Sequence, residues 1–483
     1  MRDSSLTCMG RELPKPEPMF HGKKAQVDRQ ASWKTGMHAY VVPARIYHLR
    51  VGFRGVTGKQ VEDWLTLLKT AAERKGIRFN GLTYVEITDD FPVEEAVKQV
   101  KMVRTNEEGK QGNQLRYFFL FIDSAKNKSH ARLKLEERLN EVTTQQLTAE
   151  NAARLGDRSV MENVLMKLNM KCGGLNYRIE PTDHGRRLWL PGGQEGSLMM
   201  GLDVCHPPPQ PRKVLLKAPD LATPSVVGVS SNCAQDYNMF VGDYYYQKGR
   251  QEHIDNIVIK KLTTSAMMRF EKHRGSLPKL LIILRDGVAD GQYDRVMEES
   301  YKIHERAKEW ARSKERNEKL GKDPVLDYNP HIILMLVTKR HSTRLYTLNQ
   351  GKPSNPLPAT VVDTVITDPT LTEFYIQSAN PLIGTAKPPS VRVLRDSCNG
   401  TMDEYQSLVH ALAYHHQITP GAFSLPAPVK QADAWADRGM KNYHEFVRIH
   451  GKDGRRKELH TNEWLTKELG YDKCRLGGER SNA

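Results

Sequence analysis

Two acidic residues lie where apolar segments end, a position from which side chains can act together in catalysis. Asp203 follows the apolar run 198–202, and Asp286 lies just past the apolar run 280–284. Both would emerge at the edge of an α/β sheet, where open sheets place their sites. Converging carboxylates can hold the two cations of a metal-dependent nuclease, which activate the attacking water and stabilise the leaving oxygen. An aspartate after an apolar strand is more often a turn or cap residue, so spacing alone leaves both interpretations open.

Lysines at helical spacing indicate a second kind of chemistry, the binding of a phosphate. Lys167 and Lys171 are four residues apart, just before the glycine pair 173–174, and would project from one face of a helix. A terminal phosphate is held best by several cations and helix N-terminal amides acting together. The basic run 126–138 is equally typical of an ordinary solvated helix face.

Composition bounds the class of protein. The chain has 483 residues, which predicts two or more domains. Its formal net charge of +15 favours a polyanionic partner, because cations that neutralise phosphates also release counterions. The six cysteines lack the repeated spacing of a zinc site or a disulfide framework. No apolar run reaches the length of a membrane helix, and residues 1–36 lack a secretory pattern, so we expect a cytoplasmic or nuclear protein without a membrane partner.

The periodicity of apolar residues predicts two α/β series. The segment 1–36 has the composition of a linker, and Thr401 with Glu404 predicts a capping box for a helix that begins at residue 402. Strands are expected at 40–43, 46–51, 115–122, 198–203, 226–230, 239–246, 279–286 and 331–338. Helices are expected at 58–75, 93–104, 131–150, 157–168, 251–272 and 292–320.

Several segments then resemble one family. Gly201-Leu202-Asp203-Val204-Cys205-His206-Pro207 and Arg285-Asp286-Gly287-Val288-Ala289-Asp290-Gly291-Gln292 resemble the strand-end motifs of the PIWI domain of eukaryotic Argonautes. The segments 250–252, 339–345, 362–364 and 424–428 fit in the same order. The resemblance implies an α/β chain with a linker at 1–36, a Rossmann-like MID domain at 37–180 and an RNase H-like PIWI domain at 181–483. Filamentous-fungal Argonautes of the quelling type look most similar.

The family's chemistry can be transferred position by position. Asp203, Asp286 and Asp433 match the metal-binding positions for Mg²⁺ or Mn²⁺, and Glu252 matches the inserted glutamate finger. The resemblance implies hydrolysis of a target phosphodiester opposite the middle of the guide, with the 3′ oxygen leaving. An aspartate at position 433 provides a hard oxygen that suits Mg²⁺. Without the resemblance, Glu252 would be interpreted as a helix N-terminal residue and Asp433 as a surface charge.

The resemblance also implies a site for the 5′ end of a guide RNA. His130 stands where the family usually has a tyrosine that stacks on the first base, and Gln145 is an alternative to Gln146 if the register slips by one residue. The implied contacts to the 5′ phosphate and first nucleotide are His130, Lys134, Gln146, Lys167, Lys171 and Arg438, and those to the guide backbone are Arg340, Arg344 and Ser424.

The predicted function is therefore a guide-directed endoribonuclease of RNA silencing. Its partners would be a small guide RNA with a 5′ phosphate, a complementary target RNA and silencing proteins that carry Trp motifs. Two alternatives stay open: a guide-binding silencing module without cleavage, and an RNase H-like nuclease that acts without a guide.

Overall fold

The computed structural model describes residues 6–111, 115–191, 196–209, 223–381, 383–450 and 461–480. None of the helices in these ranges is both long enough and apolar enough to cross a membrane. The strands are β1 (Arg11–Glu12), β2 (Pro18–Phe20), β3 (Lys23–Lys24), β4 (Arg45–Phe53), β5 (Arg78–Glu86), β6 (Tyr117–Asp123), β7 (Thr143–Thr148), β8 (Arg178–Ile179), β9 (Leu198–Cys205), β10 (Ser225–Ser231), β11 (Val241–Gln247), β12 (Leu280–Asp286), β13 (His331–Thr338), β14 (Thr347–Asn349), β15 (Lys352–Ser354), β16 (Thr360–Val362), β17 (Thr372–Gln377) and β18 (Ser390–Asp396). The helices are α1 (Gly58–Arg74), α2 (Val93–Gln111), α3 (His130–Asn140), α4 (Ala149–Ala152), α5 (Arg158–Lys171), α6 (Arg186–Trp189), α7 (Asn256–Arg274), α8 (Tyr293–Arg312), α9 (Lys314–Leu320), α10 (Met402–Leu412), α11 (Ala427–His450) and α12 (Asn462–Leu469).

The first unit is built on a small parallel sheet with the strand order β5-β4-β6-β7. Every residue of β6 is buried, as expected for a parallel strand covered on both faces. Thr57 and Gln60 form a capping box that starts α1, and Glu141 ends α3 in the left-handed conformation. The alternation of strands and helices confirms the predicted βαβ organisation.

The second unit is built on a nine-stranded mixed sheet with the order β1-β16-β17-β18-β13-β12-β9-β10-β11. Strands β9, β10 and β11 form an antiparallel meander, and β12 lies parallel to both β9 and β13. Three antiparallel strands followed by a helix and a parallel strand give the RNase H order. Because β9 and β12 run in the same direction, their carboxyl ends meet at one edge.

Helix α11 lies directly on the large sheet because two glycines leave room for it. A Cβ atom at Gly201 would overlap the backbone of Pro428, and one at Gly228 would overlap the backbone of Ala432. Gly228 is paired with Asp203 across β9 and β10. The second turn of α11 is thereby brought next to Asp203.

The chain end joins the two units through residues 470–480, called here the C-terminal strap. The backbone N–H groups of Tyr471 and Asp472 donate to Asp243 of β11, over 2.8 and 2.6 Å. In the other direction, Arg475 binds Glu108 of α2, at 2.6 Å at the closest approach. Further contacts to the first unit run from Glu479 to Arg116 and from Arg480 to the carbonyl of Gly174.

Several predicted elements differ from the structure, among them the helix predicted at 251–272, which begins at Asn256. The segment 40–43 forms an isolated bridge at Val42 and no strand. The segment 131–150 is not one helix, because α3 ends at Asn140 and β7 follows. The predicted helix 292–320 breaks at Ser313, which caps α9.

Candidate functional site

Three carboxylates meet at the edge where β9 and β12 end, and they are called here the acid cluster: Asp203, Asp286 and Asp433. The register pairs Leu202 with Arg285, which places Asp203 and Asp286 side by side on neighbouring parallel strands. Asp433 reaches them from α11. Burial raises the pKa of Asp203 to about 6, with further contributions from the charges of Asp286 and Asp433. The sequence-predicted acids are therefore brought together.

The other two members of the acid cluster are held differently. Burial raises the pKa of Asp286, and the charge of Asp433 adds to this, although the backbone N–H of Gly287 donates to the carboxylate over 2.6 Å. Asp433 pairs with Lys430 of the same helix at 2.6 Å. A lysine at this position gives the acid cluster one neighbouring cation.

Glu252 lies in the loop between β11 and α7, next to His206 and Arg285, and not at the helix N-terminus. One carboxylate oxygen accepts a hydrogen bond from Arg285 at 2.8 Å, and the other lies 2.7 Å from the His206 ring nitrogen Nε2. Arg285 is almost fully buried, and it precedes Asp286 on β12. Glu252 is therefore connected to the acid cluster through Arg285.

The donor set fits a hard divalent cation in its chemistry. Carboxylate oxygens are the ligands that Mg²⁺ and Mn²⁺ prefer, and a cation would offset the burial and the neighbouring charges that raise the pKa of Asp203. Within the described ranges, no three His, Cys, Asp or Glu side chains lie in an arrangement that could hold a metal ion. Asp433 is turned to Lys430, and Glu252 to His206 and Arg285.

A cavity of about 340 Å³ opens between α3, β7 and α5, and we call it the cationic pocket. Lys134 and Lys171, each 2% exposed, both donate to the carbonyl of Thr144, over 2.6 and 3.1 Å. Burial lowers the pKa of Lys134 to about 8 and that of Lys171 well below its ordinary value. The pocket is lined by His130, Lys134, Gln145, Gln146, Leu147, Thr148, Asn151, Val160, Asn163, Val164, Lys167 and Lys171.

A buried carboxylate behind the cationic pocket ties it to α11. Glu137 is fully buried, and it binds Lys134 at 2.8 Å and Arg438 at 3.1 Å. Burial alone would raise the pKa of Glu137, but the charges of Lys134 and Arg438 outweigh it and lower the pKa to about 2. Counting Lys171, the buried group holds three cations and one anion, a surplus of two positive charges when all are ionised.

Gln145 and Gln146 differ in their hydrogen-bond partners. The side-chain nitrogen of Gln146 donates to the hydroxyl of Ser129 at 3.0 Å. Ser129 in turn donates to Asp123, which holds the loop before α3. The buried side-chain oxygen of Gln145 has no partner within the described chain. Both predicted candidates line the cationic pocket, and of these two glutamines it is Gln145 whose buried side-chain oxygen has no partner within the described chain.

His130 and Lys167 also line the cationic pocket; the resemblance implied this place for His130, and helical spacing together with the resemblance implied it for Lys167. The His130 ring remains open to solvent on one side. Desolvation of the rest of the ring, together with the charges of Lys134 and Arg438, lowers its pKa to about 3. A neutral ring is suited to stacking on a base.

A groove runs from the acid cluster along basic residues. A cavity of about 820 Å³ is bordered by Asp286 and Asp433 at one side and by Arg340 and Arg344 at the other. A second cavity, of about 780 Å³, shares four of its lining residues and also reaches Asn163, which lines the cationic pocket. The second cavity therefore shares lining residues with both of the others. The residues shared by the two larger cavities are Lys339, Lys387, Phe423 and Ser424.

The sequence prediction missed several residues of this arrangement. Arg285 and His206 belong to the quoted motifs, so their closeness in sequence to Asp286 and Asp203 was the available signal. Lys430 lies three residues before Asp433, at a spacing that places both on one helix face. Glu137 gave no such signal, because it meets Arg438 only through the tertiary fold.

Comparison with known proteins agrees with this architecture. Argonaute protein wago-1 of Caenorhabditis elegans is 27% identical over 405 residues, which cover 81% of this chain and 40% of that protein. Protein argonaute 2 of Oryza sativa subsp. japonica is 32% identical over 296 residues, covering 60% and 26%. Protein argonaute-2 of Drosophila melanogaster is 26% identical over 445 residues, covering 89% and 33%. The chain thus spans less than half the length of these relatives.

Solved structures match the fold over nearly the whole chain. The C-terminal lobe of a budding yeast Argonaute superposes with a TM-score of 0.79 at 20% identity, covering 98% of this chain and 95% of that one. The Kluyveromyces polysporus Argonaute with a guide RNA gives the same TM-score and identity, with 98% and 56% covered. The fold is that of an Argonaute C-terminal lobe, with a MID unit and an RNase H-like unit. The Piwi domain model matches residues 117–444, more than half of the chain, and the chain belongs to the Piwi-domain family.

Proposed function

We propose that this chain is the MID–PIWI lobe of a guide-RNA-directed endoribonuclease of RNA silencing. The observation that carries the proposal is that the cationic pocket and the cavity lined by Asp286 and Asp433 each share lining residues with a third cavity. One end suits a phosphorylated terminus and the other suits cleavage of a phosphodiester. The basic residues between them suit a nucleic-acid backbone.

The charge balance of the cationic pocket favours a terminal phosphate. Lys134, Lys171 and Arg438 leave a surplus of two positive charges after Glu137 is subtracted, and all four side chains are buried. Buried charges without a partner are costly. A phosphate monoester carries nearly two negative charges at neutral pH and would compensate them. A 5′-hydroxyl guide would leave the surplus in place.

The cations of the groove are suited to binding the phosphates of a nucleic-acid backbone rather than to recognising bases. Lys339 donates to Ser424, and Arg344 donates to backbone carbonyls of its own loop, at 2.8 Å to His341. Arg340 and Lys387 line the same cavity. Side chains held in this way can position phosphates without reading sequence. Sequence would then be read by base pairing between guide and target.

Asp203, Asp286 and Asp433 are the residues that would hold divalent cations, Mg²⁺ or Mn²⁺. Such cations, when bound, activate the attacking water and stabilise the leaving oxygen. His206 and Arg285 fix both oxygens of Glu252, so that its carboxylate is oriented beside the acids before any substrate arrives. Lys430 is placed to contact a phosphate in the groove next to Asp433.

Finer assignments belong to the same proposal. The linker at 1–36, the MID domain at 37–180 and the PIWI domain at 181–483 are the proposed boundaries. A relationship to filamentous-fungal quelling-type Argonautes and Trp-motif partners rest on the sequence resemblance. A cytoplasmic or nuclear location rests on the sequence composition alone.

A cleavage assay with a matched control tests the proposal. The chain is incubated with a 5′-phosphorylated guide, a labelled complementary RNA and Mg²⁺, and we expect one cut at a fixed distance from the guide's 5′ end. Asp286→Ala should abolish the cut while guide affinity changes by less than about threefold, because Asp286 faces the groove and not the cationic pocket. Asp437→Asn, an exposed change on the same helix as Asp433, should cut normally.

A guide-binding module without cleavage is the second candidate. The ion pair between Asp433 and Lys430 favours this candidate, because it engages one of the three carboxylates that would bind a cation. Tight guide binding by the unchanged chain with no cut in either Mg²⁺ or Mn²⁺ would select this candidate. Equal cutting with and without a guide would instead indicate an RNase H-like nuclease.

A further inference from the structure

Glu137 is an acid buried among the cations of a pocket proposed to bind an anion. One carboxylate oxygen accepts hydrogen bonds from Lys134 at 2.8 Å and from the backbone N–H and hydroxyl of Thr144 at 2.7 and 2.9 Å. The other accepts from Arg438 and from the Tyr471 hydroxyl, both at 3.1 Å. Five donors on two oxygens leave Glu137 little freedom to move.

These donors come from parts of the chain far apart in sequence. Lys134 and Thr144 belong to the first unit, Arg438 belongs to α11 of the second unit, and Tyr471 belongs to the C-terminal strap. Glu137 is 301 residues from Arg438 and 334 from Tyr471. Glu137 is therefore the point where three separate segments are joined behind the cationic pocket.

Without a negative charge at this point, the cations would repel one another. Lys134, Lys171 and Arg438 act on each other's charge in a setting that excludes water. Like charges at close range in a protein interior either separate or lose a proton. A carboxylate that binds two of them keeps them charged and converging on one place.

We propose that Glu137 is a positioning residue for the guide 5′ phosphate: it holds Lys134 and Arg438 in their phosphate-binding geometry and, through Tyr471, makes that geometry depend on the C-terminal strap. The proposal rests on the proposed binding of a 5′-phosphorylated guide. Glu137 acts through the two cations and does not itself contact the ligand.

The substitution Glu137→Gln distinguishes a positioning role from a simple effect of charge, because the two predict opposite changes in phosphate affinity. Glu137→Gln removes a negative charge, and if charge alone mattered, phosphate would bind more tightly. If Glu137 positions the cations, the substitution has a second effect. The glutamine side chain has an NH₂ group in place of one carboxylate oxygen, and this group is a donor that faces other donors. Lys134 and Arg438 then lose the carboxylate that both of them bind. Phosphate then binds more weakly.

The expected loss also depends on pH. Lys134 has a pKa of about 8, lowered first by burial, while Glu137 raises it. In Glu137→Gln the pKa of Lys134 falls further, so less of it is charged at neutral pH. The affinity ratio of wild type to variant should therefore grow between pH 6.5 and about 8. Several titratable and charged groups surround Glu137: His130 and Lys134 of α3, Lys167 and Lys171 of α5, Tyr244 of β11, Arg438 of α11 and Tyr471 of the strap.

The test compares guide affinities in the full chain. Dissociation constants are measured for one RNA oligonucleotide with either a 5′ phosphate or a 5′ hydroxyl. For Glu137→Gln we expect about tenfold or more weakening with the 5′ phosphate and less than about threefold with the 5′ hydroxyl. Glu136→Gln is the matched control, because Glu136 is buried on the same helix but binds Arg132 and Asn140 instead. Tyr471→Phe should weaken only the 5′-phosphate guide, by about two- to fivefold.

The outcomes separate this inference from the proposed function. If wild type binds the two oligonucleotides equally, the 5′-phosphate proposal itself fails. If wild type prefers the 5′ phosphate but Glu137→Gln tightens it, or weakens both guides equally, the positioning role is overturned. Should Glu137→Gln not fold, Glu137→Asp decides on the same ratio, because it keeps the charge but shortens the reach by one methylene.

Discussion

The acid cluster should cost the protein stability when no cation is bound, and Asp203→Asn measures this cost. The pKa of Asp203 is about 6 against an ordinary value of 3.8. Roughly two pKa units, at about 1.4 kcal/mol each, give an upper value near 3 kcal/mol. Because the side chain is partly open to solvent, we expect Asp203→Asn to raise the free energy of unfolding by about 1 to 2 kcal/mol at pH 7.5 in EDTA.

The sign of the effect depends on pH in a definite way. Below about pH 3.8 Asp203 is protonated in both the folded and the unfolded state, so the replacement changes little. Between about pH 3.8 and about 6 the unfolded state releases this proton, while burial and the charges of Asp286 and Asp433 make the folded wild type retain it, so the wild type loses stability relative to the variant. Above about pH 6 both states are ionised and the difference stays constant. The gain should be about half as large at pH 5 as at pH 7.5.

Urea titration at the two pH values, with EDTA or with excess Mg²⁺, provides the assay. Mg²⁺ should stabilise the wild type more than Asp203→Asn, because a cation compensates the repulsion. Asp437→Asn is the control, since it removes an exposed charge on α11 and should change stability by less than about 0.5 kcal/mol. If Asp203→Asn is no more stable than wild type in EDTA at pH 7.5, burial and the neighbouring acids do not disfavour the charged form of Asp203 as described.

Two further substitutions test the support around the acid cluster. Arg285→Met should lower the cleavage rate at least about tenfold and destabilise the fold by about 3 kcal/mol, because it leaves Glu252 without its buried partner. Single-turnover cleavage and urea titration check this, and normal cleavage would contradict it. Gly228→Ala should cost about 2 kcal/mol or more and reduce cleavage, since the added methyl group overlaps the backbone of Ala432 and displaces α11. Gly109→Ala, where nothing lies near the added atom, should be neutral or slightly stabilising, and equal effects of both changes would refute the packing argument.

The central strands and their acids could be predicted because the signal is local. The apolar runs within β9, β12 and β13 are buried, and the aspartates follow from where the runs of β9 and β12 end. The capping box at Thr401 and Glu404 is present as predicted, since it depends on residues three apart. Fold class therefore followed from apolar periodicity together with the motif resemblance.

The predictions from the sequence that were wrong involve contacts made only in the tertiary fold and local breaks within charged segments. The run 131–150 is charged enough to suggest one helix, but Glu141 adopts a left-handed conformation, and the following threonines favour a strand. That strand carries Gln145 and Gln146 into the cationic pocket. The setting of Glu252 could not be predicted either, because its partners His206 and Arg285 come from two other strand ends.

Helix α11 relates the two proposed sites to each other. Asp433 and Arg438 are five residues apart on this helix, which corresponds to about 7 Å along the axis. Asp433 faces the acid cluster, and Arg438 binds Glu137 behind the cationic pocket. A continuous helix packed on the sheet at Gly201 and Gly228 cannot shift one of these residues without the other. In the proposed function, the place that holds the guide's end and the place that cuts are thus fixed by one rigid element, so the cut is expected at a constant distance from the guide's 5′ phosphate, whatever the target sequence.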